Sequence, residues 1–592
     1  MQDPTTYPLS PHSTFDVPQI RTQLRQAVVN CQQRGLYHSA KWAAQQLNGL
    51  PAAQEDERLS GKASPRSNHH TSGPPHTMST AFPTSTVPLS LFEDRPEDAD
   101  ISEEETDRFL LARSYFDMKE FGRAAEVLKE SVGLESTFLR LYSKYLFGEQ
   151  NMETDVSEPL VSPSENEGGN KELPTIAAEL STLHQQQKLD GFLLYLYGVV
   201  LNRLGQKVKA SQVLVESINR YPYCWSAWQE LAVCLPPQET AQTLLHQLPQ
   251  TGFMLTFFKA HLAVDLFYNT ENGAGYLDEL VPLFPRSRFV KGQMVVAKYN
   301  VREFEEAERV CEELFAEEPY SLDHLDNYSN VLYVMERKAK LGYLAHAAVQ
   351  IDRFRPETCV VIGNYYSSRL EHEKAIMYFR RALKLNRHYL TAWTLMGHEY
   401  MELKNTASAI EAYRRGVDIN NRDFRNWYGL GQSYQILRMP YFALYYYQRA
   451  SALQPFDSRI WYALAEVYES LDRNQDAVRC YKAALSGSES ISLTLLKIAT
   501  LYAKAGDEVA AAHYYGLCFE EGKQSRAQGA VSHFAEAAIF LARYYKNRNN
   551  LDDAEEYAMA VETLEEGKTL LREIRSLQTF GVKLNGDETR GR

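Results

Sequence analysis

Cysteine, basic charge and long apolar runs are what this sequence lacks, and each absence closes off a class of function. Seven cysteines stand in 592 residues: Cys31, Cys224, Cys234, Cys311, Cys359, Cys480 and Cys518. They are odd in number and scattered, and no two form a CxxC pair. Reduced structural thiols of a nuclear or cytoplasmic protein are therefore expected rather than a disulfide framework. The net charge is -13, with no basic stripe. That argues against a nucleic-acid binder and favours basic partners. The most apolar stretch, Gly252 to Tyr268, is broken by Lys259, His261 and Asp265, and no apolar run follows Met1. Neither a membrane span nor a signal peptide is expected.

Catalytic motifs are missing as well. His398-Glu399 lacks the second histidine of HExxH, and there is no P-loop and no nucleophile elbow. Gly429-Leu430-Gly431 resembles part of a phosphate loop, but Gly431 has a packing role in a helix, given below. His69-His70 has no further ligands beside it, too few to hold zinc. No metal, no cofactor and no enzyme activity are expected; the function is binding.

What the chain does have is spacing. From Leu390, Phe424, Ser458 and Ser492 it repeats every 34 residues with the same side-chain sizes in the same places. Position four is Trp393, Trp427, Trp461 and Leu495; position eight is Gly397, Gly431, Ala465 and Ala499; position eleven is Tyr400, Tyr434, Tyr468 and Tyr502. Ala409, Ala443, Ala477 and Ala511 hold position twenty, and Tyr413, Tyr447, Tyr481 and Tyr515 position twenty-four. This is the tetratricopeptide (TPR) pattern, in which each unit is an antiparallel helix pair that cannot bury its apolar face alone. Small residues at eight and twenty are expected where the paired backbones approach most closely. The aromatics are core, not a base-stacking platform.

The register runs backwards through Pro356 (Ile362, Gly363, Tyr366, Ala375, Phe379) and Leu322 (Leu325, Tyr328, Ser329, Leu332). It continues more loosely through units near Arg288, Gly191, Leu111 and Leu24, and a last pair carries Leu541, Ala542, Tyr545 and Ala554. The expected fold is all-α, a TPR solenoid with a disordered linker and an insert. Its parts are an N-terminal helical pair at 1–50, the linker at 51–104, and an N-terminal array at 105–287 whose polar insert is 149–172. A C-terminal superhelix follows at 288–568, then a tail at 569–592. The linker is rich in Pro, Ser, Thr and His and then acidic, too polar to offset chain entropy.

Beyond the repeat itself, particular segments carry a resemblance. Leu189 to Gly198 (LDGFLLYLYG), Cys359 to Ala375 (CVVIGNYYSSRLEHEKA), Ala392 to Tyr413 and Trp427 to Ala450 resemble the cell division cycle protein twenty-three family. That family is the TPR subunit eight of the anaphase-promoting complex. Residues that the repeat leaves free match too: Asn364, His372, His398-Glu399 and Lys404-Asn405-Thr406. The resemblance implies a non-catalytic arm of a ubiquitin ligase that acts in the cell cycle. It also implies self-pairing through N-terminal repeats, stacking on other TPR and scaffold subunits, and a C-terminal groove that takes the basic C-box peptide of an activator protein.

In a TPR superhelix, positions two, five, nine and twelve of each first helix point into the groove. Asp326, Asn330, Glu357, Asn364, His398, Tyr428 and Gln432 stand in that row, with Glu399 beside it. Amides for a peptide backbone and carboxylates for guanidinium would form a clamp for an arginine-bearing peptide. A solvated helix face would be polar as well. The competing reading, a chaperone adaptor gripping a C-terminal carboxylate, needs Lys and Arg where Asp326, Glu357 and Thr391 stand. A TPR-containing glycosyltransferase would need a catalytic domain that the chain lacks. Ser64 before Pro65 and Ser162 before Pro163 are candidates for proline-directed phosphorylation. The helical pairs at 20–50 and 105–146 fit the repeat poorly, as expected where an apolar face meets something other than the next repeat.

Overall fold

Several first helices start at an aspartate or serine placed just before them. Asp190, Ser287, Asp423 and Asp457 each accept a hydrogen bond from a backbone N–H two or three residues on, capping the helices Gly191–Arg203, Arg288–Val301, Phe424–Ile436 and Ser458–Ser470; such a cap satisfies one of the orphan donors of a first turn. Each first helix ends where position fifteen turns left-handed. Leu370, Lys404, Arg438, Asp472 and Gly506 have φ of 62°, 59°, 56°, 58° and 81°. The chain there reverses into the second helix.

The computed structural model describes residues 17–51, 103–155, 170–235, 244–250, 252–265, 273–485, 491–524, 531–561 and 565–588. All regular structure among them is helical. The candidate linker, apart from residues 51, 103 and 104, and both Ser64 and Ser162 lie outside the described residues. The chain divides into two units, Met1–Val331 and Leu332–Arg592.

Within the second unit the repeat is held by three recurring contacts. Position eight is small because of a ring. A Cβ on Gly363, Gly397 or Gly431 would lie 2.3, 2.4 or 2.5 Å from a ring carbon of Phe379, Tyr413 or Tyr447 at position twenty-four. Close approach of two backbones is therefore not what excludes a side chain there; the aromatic across the pair does. Position four clamps the turn between repeats, the indole N–H of Trp393, Trp427 and Trp461 donating to the carbonyl six residues earlier at 3.0, 2.9 and 2.7 Å. Position eleven ties one repeat to the last. The hydroxyls of Tyr400, Tyr434, Tyr468 and Tyr502 accept from Arg380, Arg414, Gln448 and Lys482 at 2.6, 2.7, 3.1 and 3.0 Å. Each donor stands at position twenty-five of the preceding repeat, a polar ladder that the repeat's size pattern does not reveal.

The first unit is less regular because its own N-terminus covers it. Helices Val17–Gln33 and Tyr37–Gly49 form a hairpin that lies across Trp225–Cys234, Phe253–Asp265 and Arg288–Val301. Trp42 stacks on Trp225 at 4.7 Å and meets Phe257 and Phe289 edge-on at 5.2 and 6.1 Å. Around that aromatic box, Ser39 contacts Ser226 at 2.6 Å, Ser287 donates to Gln46 at 2.6 Å, and Lys41 pairs with Asp323 at 2.6 Å. The poor repeat fit of residues 20–50 thus has its reason: the pair packs on an array and not in line with it. Its core is continuous from Ile20 to Val290, so it crosses the expected boundary at 287.

Three expected boundaries move. The insert does not begin at residue 149, since helix Leu134–Asp155 runs past it. Nor does it extend to 172. Asn170 is 5 % exposed, donating to the Tyr145 carbonyl at 3.1 Å and to Glu149 at 2.9 Å, and accepting from the Glu172 N–H at 3.0 Å. The C-terminal tail is likewise not a tail throughout. Helix Glu565–Glu588 buries Leu570, Leu571 and Ile574 against Ala542, Ala554 and Ala558, closing the apolar end of the array; terminal units of a solenoid need such a cap.

Candidate functional site

The eight groove candidates are distributed between both units. Asp326 and Asn330, on helix Leu325–Val334, belong to the first unit; both are half-buried and each already interacts with neighbouring groups. The other six belong to the second.

Two of those six are not groove residues. Asn364 is 2 % exposed and has partners within the fold. Glu399 is 5 % exposed, accepting from the Ser367 hydroxyl at 2.6 Å while its other oxygen lies 2.8 Å from Nδ1 of His372. Ser367 also reaches the hydroxyl of Tyr333 at 3.2 Å. Because helix Leu390–Glu402 packs on the preceding pair, position ten looks back into the joint between repeats, where a carboxylate survives only if bonded. Glu399 is such a stitch, and cannot reach a ligand's arginine. Its neighbour Tyr400 is the ladder residue that accepts from Arg380. Asn405 caps the next helix by accepting from the Ser408 N–H at 3.3 Å. The run from His398 to Thr406 therefore owes most of its character to architecture.

The remaining four keep solvent exposure. Glu357 is half-buried and pairs with Arg355 at 3.3 Å. Tyr428 is half-buried with its ring 5.5 Å from that of Tyr447, and burial raises its pKa. Gln432 is exposed. His398 is exposed as a residue, while its imidazole stands against the Tyr413 ring at 5.6 Å, which takes part of its solvation away. That lost solvation, with the Arg425 cation second, lowers its pKa to about 4. Its Nδ1 lies 2.9 Å from the Tyr413 hydroxyl. The ring is a neutral hydrogen-bonding group at physiological pH, not a cation that would repel a basic peptide.

Carrying the same row into the Ser458 unit adds two carboxylates. Positions nine and twelve of the Ser458 unit are Glu466 and Glu469. Glu466 accepts from Gln435 at 3.3 Å; Glu469 lies 3.4 Å from Lys504, 3.6 Å from Lys497 and 3.2 Å from the Tyr481 hydroxyl. Gln435 in turn accepts from Tyr447 at 2.7 Å. The signal was the repeat itself, applied to one more unit.

Nothing among the described residues groups three metal-ligating side chains, and no described helix is long and apolar enough to cross a membrane. All seven cysteines are free and buried, and burial pushes the thiols of Cys311, Cys359, Cys480 and Cys518 up.

Comparison with known proteins bears on the family and the fold. A family model described as anaphase promoting complex subunit 8 / Cdc23 matches residues 19–295, and the tetratricopeptide repeat matches 356–389, 390–423 and 458–486. The chain is similar to anaphase-promoting complex subunit 8 of Arabidopsis thaliana, 43 % identical over 94 % of this chain and 97 % of that one. To subunit 8 of Dictyostelium discoideum it is 37 % identical, over 95 % and 99 %. Its fold is also that of a chain in the crystal structure of the APC/C hetero-tetramer Cut9–Hcn1, with a TM-score of 0.53 at 16 % identity over 94 % of this chain and 96 % of that one.

Proposed function

The chain belongs to the anaphase-promoting complex subunit 8 / Cdc23 family, and from that premise we propose how it works as a non-catalytic TPR scaffold. Its second unit receives the basic C-box peptide of an activator protein, its first unit pairs with a second copy, and both contact other TPR and scaffold subunits, in nucleus and cytoplasm. The observation that carries the reading is likeness along the whole of both chains, 94 % of this one and 97 % of the Arabidopsis relative. A site confined to one repeat would not require it.

Peptide binding is best supported by the row His398, Tyr428, Gln432 and Glu466, with Glu357 at its upstream end. Neutral His398 and Gln432 offer hydrogen bonds to a peptide backbone, Tyr428 offers a face for a guanidinium, and the glutamates offer charge. A fluorescent arginine-bearing peptide from an activator, titrated against Tyr428→Ala and Gln432→Ala, tests this. Affinity falls about fivefold to a hundredfold, the ~1–3 kcal/mol of leaving buried peptide groups unpaired, and the melting curve of Gln432→Ala stays put. Unchanged affinity in both places the ligand elsewhere. Asn364→Ala does not separate binding from folding, because the side chain it truncates is buried.

Self-pairing is supported by the N-terminal hairpin. A surface that accepts helices Val17–Gln33 and Tyr37–Gly49 from its own chain accepts them equally from a second copy, and a two-fold exchange uses one patch twice. Light scattering of the full chain gives a dimer mass, and Trp42→Asp lowers it to the monomer. A dimer that survives Trp42→Asp rules out the hairpin as the pairing element.

A further inference from the structure

Helix Pro440–Leu453 departs from its counterparts on the face turned to solvent. Positions eighteen, nineteen and twenty-two there are Tyr441, Phe442 and Tyr445, which are 75 %, 55 % and 48 % exposed. One repeat earlier the same positions hold Ala407, Ser408 and Glu411, and one repeat later Gln475, Asp476 and Arg479. The repeat's packing therefore does not call for aromatics at these places. Ile436, Leu437 and Met439, just upstream, are exposed as well.

Two of the rings, Phe442 and Tyr445, are held in place from beneath. Phe442 stacks on Tyr434 at 5.3 Å, Tyr434 on Tyr446 at 5.2 Å, and Tyr445 meets Tyr446 edge-on at 5.2 Å. Arg414 donates to the Tyr434 hydroxyl below them. A patch already ordered loses little rotamer entropy when a partner covers it. Contiguous exposed aromatics of this kind mark contact surfaces, where anchors of this type dominate the energy.

Two cations stand with the patch. Arg449 lies 5.6 Å from the Tyr445 ring centroid, and Arg438 sits in the turn that leads into the helix. Both are exposed, and neither pairs with a carboxylate among the described residues. That is unlike Arg425, Arg459 and Arg473 in the same unit, which pair with Asp423, Asp457 and Asp476. In a chain of net charge -13, uncompensated arginines beside an aromatic cluster are out of keeping with their surroundings.

We propose that this face of the Pro440–Leu453 helix docks an acidic amphipathic segment of a separate protein chain. Apolar side chains of the segment lie on Tyr441, Phe442 and Tyr445, and its carboxylates pair with Arg438 and Arg449. The complementarity is opposite in sign to that of the first-helix row, so the two sites take different partners.

The test uses the full-length protein and two labelled synthetic helical peptides, one with leucines at helical spacing and glutamates between, the other with lysines in place of the glutamates. Fluorescence anisotropy is expected to show the acidic peptide binding about tenfold tighter or more. Tyr441→Ser and Arg449→Glu each weaken it about tenfold, with unchanged melting curves and unchanged binding of the arginine-bearing peptide to the first-helix row. Equal binding of both peptides, no binding of either, or full affinity in both variants overturns the proposal. So does a fall in the protein's own oligomeric mass in Tyr441→Ser, which would make a second copy the occupant.

Discussion

The two units of this protein build helix pairs on one repeat but differ in what meets the faces of their first helices. In the first unit, Trp225, Phe257 and Phe289 meet a tryptophan of the N-terminal hairpin, and the joint is aromatic. In the second unit, the corresponding helices carry Thr391, His398, Gln432 and Glu466, half-buried or exposed. The interior positions eight, twenty and twenty-four keep the same sizes wherever the repeat is regular. The outward row is free to record its environment: apolar where the chain covers itself, polar where water or a ligand does. Loss of repeat regularity near the N-terminus is therefore a sign of occupancy, not of decay.

The largest break in that comparison comes from Trp42→Ala. Removing a fully packed aromatic costs about 3–5 kcal/mol, and the loss should be local to the first unit. Hydrogen exchange is expected to speed up over Val17–Gly49 and at Trp225 to Cys234 while the repeats from Leu390 onward keep their protection. Equal loss in both units would mean that the hairpin is not a separable cover. Gly397→Leu does the reverse. With a Cβ already 2.4 Å from the Tyr413 ring, overpacking costs roughly 1–3 kcal/mol or more, seen as lost protection over Leu390–Ile419 with the hairpin unaffected.

Smaller effects sharpen the distinction between stitch and wall. Glu399→Ala takes its carboxylate from His372 and leaves Ser367 only the longer contact to Tyr333 at the joint of two repeats, and weakening buried hydrogen bonds in this way costs about 1–3 kcal/mol. Denaturant melts should show it, whereas Gln432→Ala on the wall stays within about 0.5 kcal/mol. A Glu399→Ala protein as stable as the parent would contradict the assignment. The smallest effect is the pH response of His398. Its folded pKa of about 4 lies below the ordinary 6.5, so between those values the unfolded chain holds a proton that the folded chain refuses. Stability from this residue is full above pH 6.5 and is withdrawn as the pH falls toward 4. His398→Gln should flatten that part of the acid profile, and NMR titration should find the ring neutral at pH 6; a ring that titrates near 6.5 would show that the wall is fully solvated.

By itself the sequence determined the repeat length, the helix pairs, the small and aromatic interior positions and the class of function, because steric fit recurs every 34 residues and can be read as periodicity. The capping aspartates Asp423 and Asp457 act on their own turn, yet the size pattern of the repeat does not single them out and the structure identifies them. Periodicity could also place Glu466 and Glu469 on the same first-helix row, but it could not separate Asn364 and Glu399 from that row. Whether a polar side chain at position nine or ten faces water or the joint depends on the tilt of one pair against the next, which single-repeat geometry does not contain. The seat of the N-terminal hairpin was beyond reach for a stronger reason. Trp42 meets Trp225 across 183 residues of chain, and no local pattern encodes a partner that distant; only the folded array brings the two rings together.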